Sequence, residues 1–159
     1  MMRPRPPIPA SAAALGYSGL LPFLAGAAAL WSGPPWASLA GQWLLAYAAV
    51  ILSFMAGVRW GLGMREDDAD AGALALSVVP SLIGWAMLVP DAVLAPVFGG
   101  ALPLAVRLLA CAAAFILLWR WDLHAVRTGG APGWYGALRT RLTVVVAAAL
   151  IAGAASPSA

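Results

Sequence analysis

Five apolar stretches of about twenty residues each alternate with short polar breaks, and together they occupy most of the chain. The hydrocarbon core of a bilayer is about 30 Å thick, so a helical crossing takes about 20 mostly apolar residues. The stretches therefore predict transmembrane helices from about Ala12 to Trp31, Leu39 to Gly61, Ala73 to Val89, Pro103 to Trp121 and Leu138 to Ala154. The expected fold is all-α, a polytopic membrane bundle of about five helices forming one domain over residues 12–155. A proline-rich arm, residues 1–11, precedes it, with Ser11 placed to cap the first helix. Residues 156–159 form a short tail.

Proline and glycine punctuate this pattern. Pro22 and Pro80 fall inside predicted crossings, where each removes one backbone hydrogen bond and introduces a kink that neighbouring groups must satisfy. Between Pro90 and Pro103 the chain is apolar enough to lie in the interface or re-enter the membrane, yet Pro90, Pro96, Gly99 and Gly100 argue against one continuous helix. Pro103 suits the first turn of the fourth crossing, where a missing N–H costs nothing. Two arginines, an apolar run and small residues such as Ala25 and Ala27 also suit a secretory signal. The length of that run, and Trp31 with Trp36 beyond it, suit a retained crossing better. No internal repeat points to an inverted-repeat transporter.

Composition agrees with a membrane protein: 63% of the 159 residues are hydrophobic and 9% charged, against about 45–50% and about 25% in soluble domains. The net charge of +3 comes from nine arginines, with lysine absent. With five crossings, Arg3, Arg5, Arg59, Arg65, Arg120, Arg127, Arg139 and Arg141 share one side, and Arg107 falls on the other. By the positive-inside rule the N-terminus is then cytoplasmic and the C-terminus outside. Trp60, Trp119, Trp121 and Trp134 mark the inner interface, and Trp31, Trp36, Trp43 and Trp85 the outer. The arginines flank helices instead of forming a tract, so the lipid bilayer is the expected partner and nucleic acid is not. A single cysteine, Cys111, excludes an internal disulfide.

Ionisable residues in a membrane are costly and mark candidate sites. Arg59 lies about a turn from the inner end of the second crossing, with a stem long enough to snorkel to the headgroups. Asp122 and His124 are placed together at the end of the fourth crossing, beside the start of the fifth with Arg139. Arg59, Asp122, His124 and Arg139 thus form a candidate inner-face cluster, in which Asp122 pairs with Arg59 or Arg139 to lock helices or to bind an anionic headgroup. His124 is the only histidine and reads first as a solvated loop residue. The acidic run Glu66, Asp67, Asp68, Asp70 lacks the ligand spacing of a calcium hand and reads as a turn with Asp70 capping the third crossing. No metal or cofactor is expected. Ser77, Pro80 and Ser81 form a second candidate: Pro80 frees the Leu76 carbonyl, and the serine hydroxyls support the kink by satisfying local groups or contact a small ligand. Arg107, one turn from the outer interface, is placed to snorkel. Gly57 with Gly61, and Ala149 with Gly153, permit close helix contact.

The segments YAAVILSFMAGVRWG (Tyr47 to Gly61), SVVPSLIGW (Ser77 to Trp85), Asp122, and PGWYGALRTRLT (Pro132 to Thr143) resemble the membrane family called domain of unknown function 3429, which includes transmembrane protein 69. The resemblance implies a small polytopic inner-membrane protein, bacterial here and mitochondrial in animals, and it assigns no activity or catalytic residue. The first functional expectation is a non-enzymatic scaffold or assembly partner for another membrane protein, or a homo-oligomer, in the bacterial cytoplasmic membrane. The second is a small carrier or binder of a lipid, quinone or other small ligand. A membrane enzyme comes third, since it needs Asp122, His124 and Arg59 to converge.

Overall fold

The computed structural model describes residues 7–64 and 70–159. Arg3 and Arg5 of the arm, and Arg65, Glu66, Asp67 and Asp68 of the acidic run, lie outside the described residues. Among the described residues the helices are α1 (Ala10–Ser18), α2 (Leu21–Leu30), α3 (Trp36–Gly63), α4 (Ala71–Leu88), α5 (Asp91–Phe98), α6 (Leu104–Arg127) and α7 (Gly133–Ala154). Five segments are long and apolar enough to cross a membrane: α1 and α2 together, α3, α4, α6 and α7. The ends where α1, α4 and α7 begin and α3 and α6 finish form the arginine-rich end of the bundle.

Two boundaries differ from the hydropathy pattern in a way that matters. Helix α6 runs on to Arg127 and α7 begins at Gly133. Apolarity fades at Arg120, but backbone hydrogen bonding does not depend on it, and the helix stops only where Gly129 takes φ +83. Asp122 therefore sits within a helix instead of at its tip. At the N-terminus the cap of α1 is Pro9 and not Ser11, because the chain is already helical from Ala10. Asp70 caps α4 as expected, accepting from the Gly72 N–H at 2.9 Å.

Pro22 divides the first crossing. It occupies the first turn of α2, and α1 ends before it at Ser18. The Gly19 carbonyl, left over at the break, accepts from the Tyr47 hydroxyl at 3.0 Å, so α3 supplies the compensation a membrane kink requires. Beyond the break, Phe23, Ala27 and Leu30 are buried. Phe23 packs edge-on against Tyr47 and Phe115, in a core shared with Leu44, Leu52, Leu108 and Leu150. Cleavage after this crossing would strip one wall from that core.

The stretch from Pro90 to Pro103 resolves into the short helix α5 and a turn. Val89 is extended because a proline follows it, and this ends α4 with unsatisfied carbonyls. Arg107 satisfies them. Its Nη1 donates to the carbonyls of Met87 and Val89 at 2.7 and 2.8 Å, and its Nε to that of Leu102 at 3.0 Å. Its Nη2 pairs with the Asp91 carboxylate, which also accepts from the Leu102 N–H at 3.0 Å. Arg107 does not snorkel: it is 7% exposed, because four acceptors converge on a guanidinium whose five donors fork to meet them.

Helix α4 comes close to the backbone of α3 at Gly84. A Cβ there would stand 3.0 Å from Ala49 Cα and 3.2 Å from Ala49 Cβ. Backbone cannot yield as a side-chain tip does, so Gly84→Ala is expected to cost about 1–3 kcal/mol through overpacking. Gly57→Ala, which meets nothing within 4 Å, is the control. Thermal unfolding of the detergent-solubilised protein should show a lower midpoint for the first and an unchanged or higher one for the second.

Candidate functional site

The arginine-rich end holds the buried ion pair. Asp122 on α6 is fully buried and Arg139 on α7 is 4% exposed. The Arg139 Nε donates to Asp122 Oδ2 at 2.7 Å, and the Tyr135 hydroxyl donates to the same oxygen at 3.3 Å. Arg59 on α3 reaches Trp121, the residue before Asp122 on α6. Its guanidinium lies 4.2 Å over the Trp121 ring, a cation–π contact that ties α3 to α6 and holds the group within the bundle end. Of the two partners open to Asp122 in the sequence, the fold selects Arg139.

His124 does not join this cluster. It is exposed while Asp122 is buried, because two helical steps turn about 200° around the axis. Of the four candidate residues the structure brings together Arg59, Asp122 and Arg139, and turns His124 away.

In the second candidate group a serine hydroxyl satisfies a local carbonyl. The buried Ser77 hydroxyl donates to the Leu74 carbonyl at 2.7 Å and not to that of Leu76. A helical serine reaches back three or four residues, whereas Leu76 precedes Ser77 by one residue and Ser81 by five. The crevice of about 160 Å³ beside Pro80 is lined by Leu76, Val79, Ile83, Leu117 and Trp121 among others, and by neither serine.

A much larger cavity, about 760 Å³, lies between α1, α3 and α7. It follows from the break at Pro22. While α2 packs into the bundle, α1 turns aside and rests chiefly on α7, where Gly16 leaves room for Leu142. Leu15, Phe54 and Leu142 contribute to its apolar wall, and Phe23, Phe115 and Val146 line its deep end. Its α7 wall runs from Trp134 to Val146, a rise of about 18 Å. Three polar side chains of α7 also line it: Tyr135, Arg139 and Thr143. Among the described residues, Arg139 Nη2, Thr143 Oγ1, Asp122 Oδ1 and Arg59 Nε are buried without a hydrogen-bond partner. Buried polar groups are seldom left so.

Tyr135 and Thr143 were absent from the residues singled out in the sequence, although they were within reach. Each is four residues from Arg139, so the three share one face of α7. Asp91 carried no such signal, since it meets Arg107 across 16 residues and a change of helix.

The family described as Protein of unknown function (DUF3429) matches residues 8–155. A curated relative, Transmembrane protein 69 of Xenopus tropicalis, is 32% identical over 154 residues, covering 90% of this chain and 53% of its own length. The chain thus spans about half the length of that relative. No solved structure matches.

Proposed function

The chain belongs to the DUF3429 family, and from that premise we propose that it is a membrane-embedded binder or carrier of a lipid, quinone or similar amphiphile. One observation carries this reading: the cavity of about 760 Å³ beside α1, apolar on most of its wall and polar at Arg139 and Thr143. Ligand sites are typically about 300–1,000 Å³, mostly apolar, with a few polar groups that set orientation. The arginine bias supports placing the arginine-rich end in the cytoplasm, with the N-terminus inside and the C-terminus outside, and the membrane is proposed to be the bacterial cytoplasmic one. The cavity then opens within the inner half of the bilayer.

Native mass spectrometry on the protein released from lipid nanodiscs tests this. One retained amphiphile per chain is expected, and it should be largely lost in Val146→Phe, which fills the deep end. A bare chain, or retention unaffected by that substitution, would refute the binder. A scaffold or assembly partner is the second reading, favoured by Gly57 and Gly61, four residues apart on α3 with open space beside both. A protein at fixed ratio in the same spectrum, another membrane protein or a second copy, would support it.

A further inference from the structure

The polar groups of the cavity also specify the head of the ligand. Resting on the binder reading above, we infer that the cavity selects an anionic amphiphile, whose carboxylate or phosphate oxygens meet Arg139 Nη2 and Thr143 Oγ1. Both side chains line the cavity, both are more than nine-tenths buried, and neither atom has a partner among the described residues. The guanidinium only donates, and a threonine hydroxyl can donate, so together they call for an acceptor on the ligand. Asp122 holds Arg139 by its Nε, which fixes the plane of the fork and leaves Nη2 without a protein partner. The Tyr135 hydroxyl is spent on Asp122 and adds no donor for the ligand.

Charge separates an anion from a neutral carbonyl compound. Among the described residues, Arg59 and Arg139 stand against Asp122 alone in this cluster, which leaves one positive charge unmatched behind the wall that Arg139 contributes to the cavity. Excess charge in such surroundings is costly, and a monoanionic head would neutralise it. Arg139 is six residues into α7, about 9 Å along its axis, so the head sits below the surface. The apolar part of the ligand then runs toward Phe115 and Val146, or out past Phe54 into lipid.

The test uses the full chain in phosphatidylcholine nanodiscs carrying equal amounts of oleic acid, phosphatidic acid or methyl oleate, with retention read by native mass spectrometry. At least one of the two anions should be retained about tenfold more than methyl oleate, and which of them prevails identifies a carboxylate or a phosphate head. Thr143→Val, close to isosteric, should lower anion retention about three- to tenfold while methyl oleate and the unfolding midpoint stay unchanged. Equal retention of methyl oleate and both anions, all lost in Val146→Phe, would overturn the anionic head and leave the cavity reading standing. Retention of none of the three would overturn both.

Discussion

Replacing Asp122 by alanine is expected to destabilise the protein by about 3–5 kcal/mol, the range for leaving one member of a buried ion pair alone. The carboxylate is fully buried and holds both Arg139 Nε and the Tyr135 hydroxyl. Without it, a guanidinium 4% exposed keeps its charge and loses its counter-ion. Removing both members should behave differently, because two apolar side chains of similar volume avoid the desolvation of two charges. Asp122→Leu combined with Arg139→Met is thus expected to regain most of the lost stability. Unfolding of the solubilised protein in rising concentrations of a denaturing detergent measures both. If Asp122→Ala unfolds with the parent, the pair does not hold α6 to α7.

The second large effect lies at the opposite end. Arg107→Ala removes three bonds to backbone carbonyls and one to a carboxylate, and should also cost about 3 kcal/mol or more, given about 1.5–3 kcal/mol for a hydrogen bond to a charged group and incomplete additivity. Arg107→Lys should recover little of this, since an ammonium cannot span acceptors spread over α4, α5 and the turn before α6. The Asp91 carboxyl is held below the usual carboxylate range, first by the Leu102 N–H and then by Arg107. A lowered folded-state value means that its contribution is complete above the unfolded value of about 3.9 and is lost as pH falls through the folded one. The unfolding midpoint should therefore be insensitive to Asp91 from pH 8 to 5, with its share disappearing only in stronger acid. A midpoint that falls between pH 7 and 5 in the parent and not in Asp91→Asn would contradict this.

What could be read from the sequence divides along physical lines. The hydrocarbon slab imposes length and apolarity directly, so five candidate crossings were visible, as was the break at Pro22, whereas α4 runs on through Pro80 from Ala71 to Leu88. Helix ends beyond the slab follow backbone hydrogen bonding and glycine geometry, which hydropathy does not report. Stopping the fourth crossing at Trp121 therefore obscured that Asp122 is an internal helix position, and with it the 200° turn that separates His124, an angle that follows from about 100° per residue. The same periodicity, applied outward from Arg139, would have found Tyr135 and Thr143. The Arg107 clamp was not legible, because its acceptors are mostly carbonyls exposed where a following proline ends α4. Nor was the cavity, which depends on the direction α1 takes after a break and not on the residues of any one segment.

Photo-crosslinking tests the cavity and its occupant most directly. A fatty acid carrying a diazirine mid-chain, at the reach of about 10 Å along α7 that separates Arg139 from Val146, is incorporated with the protein into nanodiscs, irradiated, and its adducts mapped to residues. Phe115 and Val146 line the cavity and are 1% and 5% exposed, so lipid packed on the outer surface of the bundle does not touch them. Adducts concentrated on these two residues, suppressed by unlabelled oleate, are the predicted result. Adducts confined to outward-facing positions such as Leu117 and Val144, exposed at 65% and 61%, would show that no amphiphile enters the cavity between α1, α3 and α7.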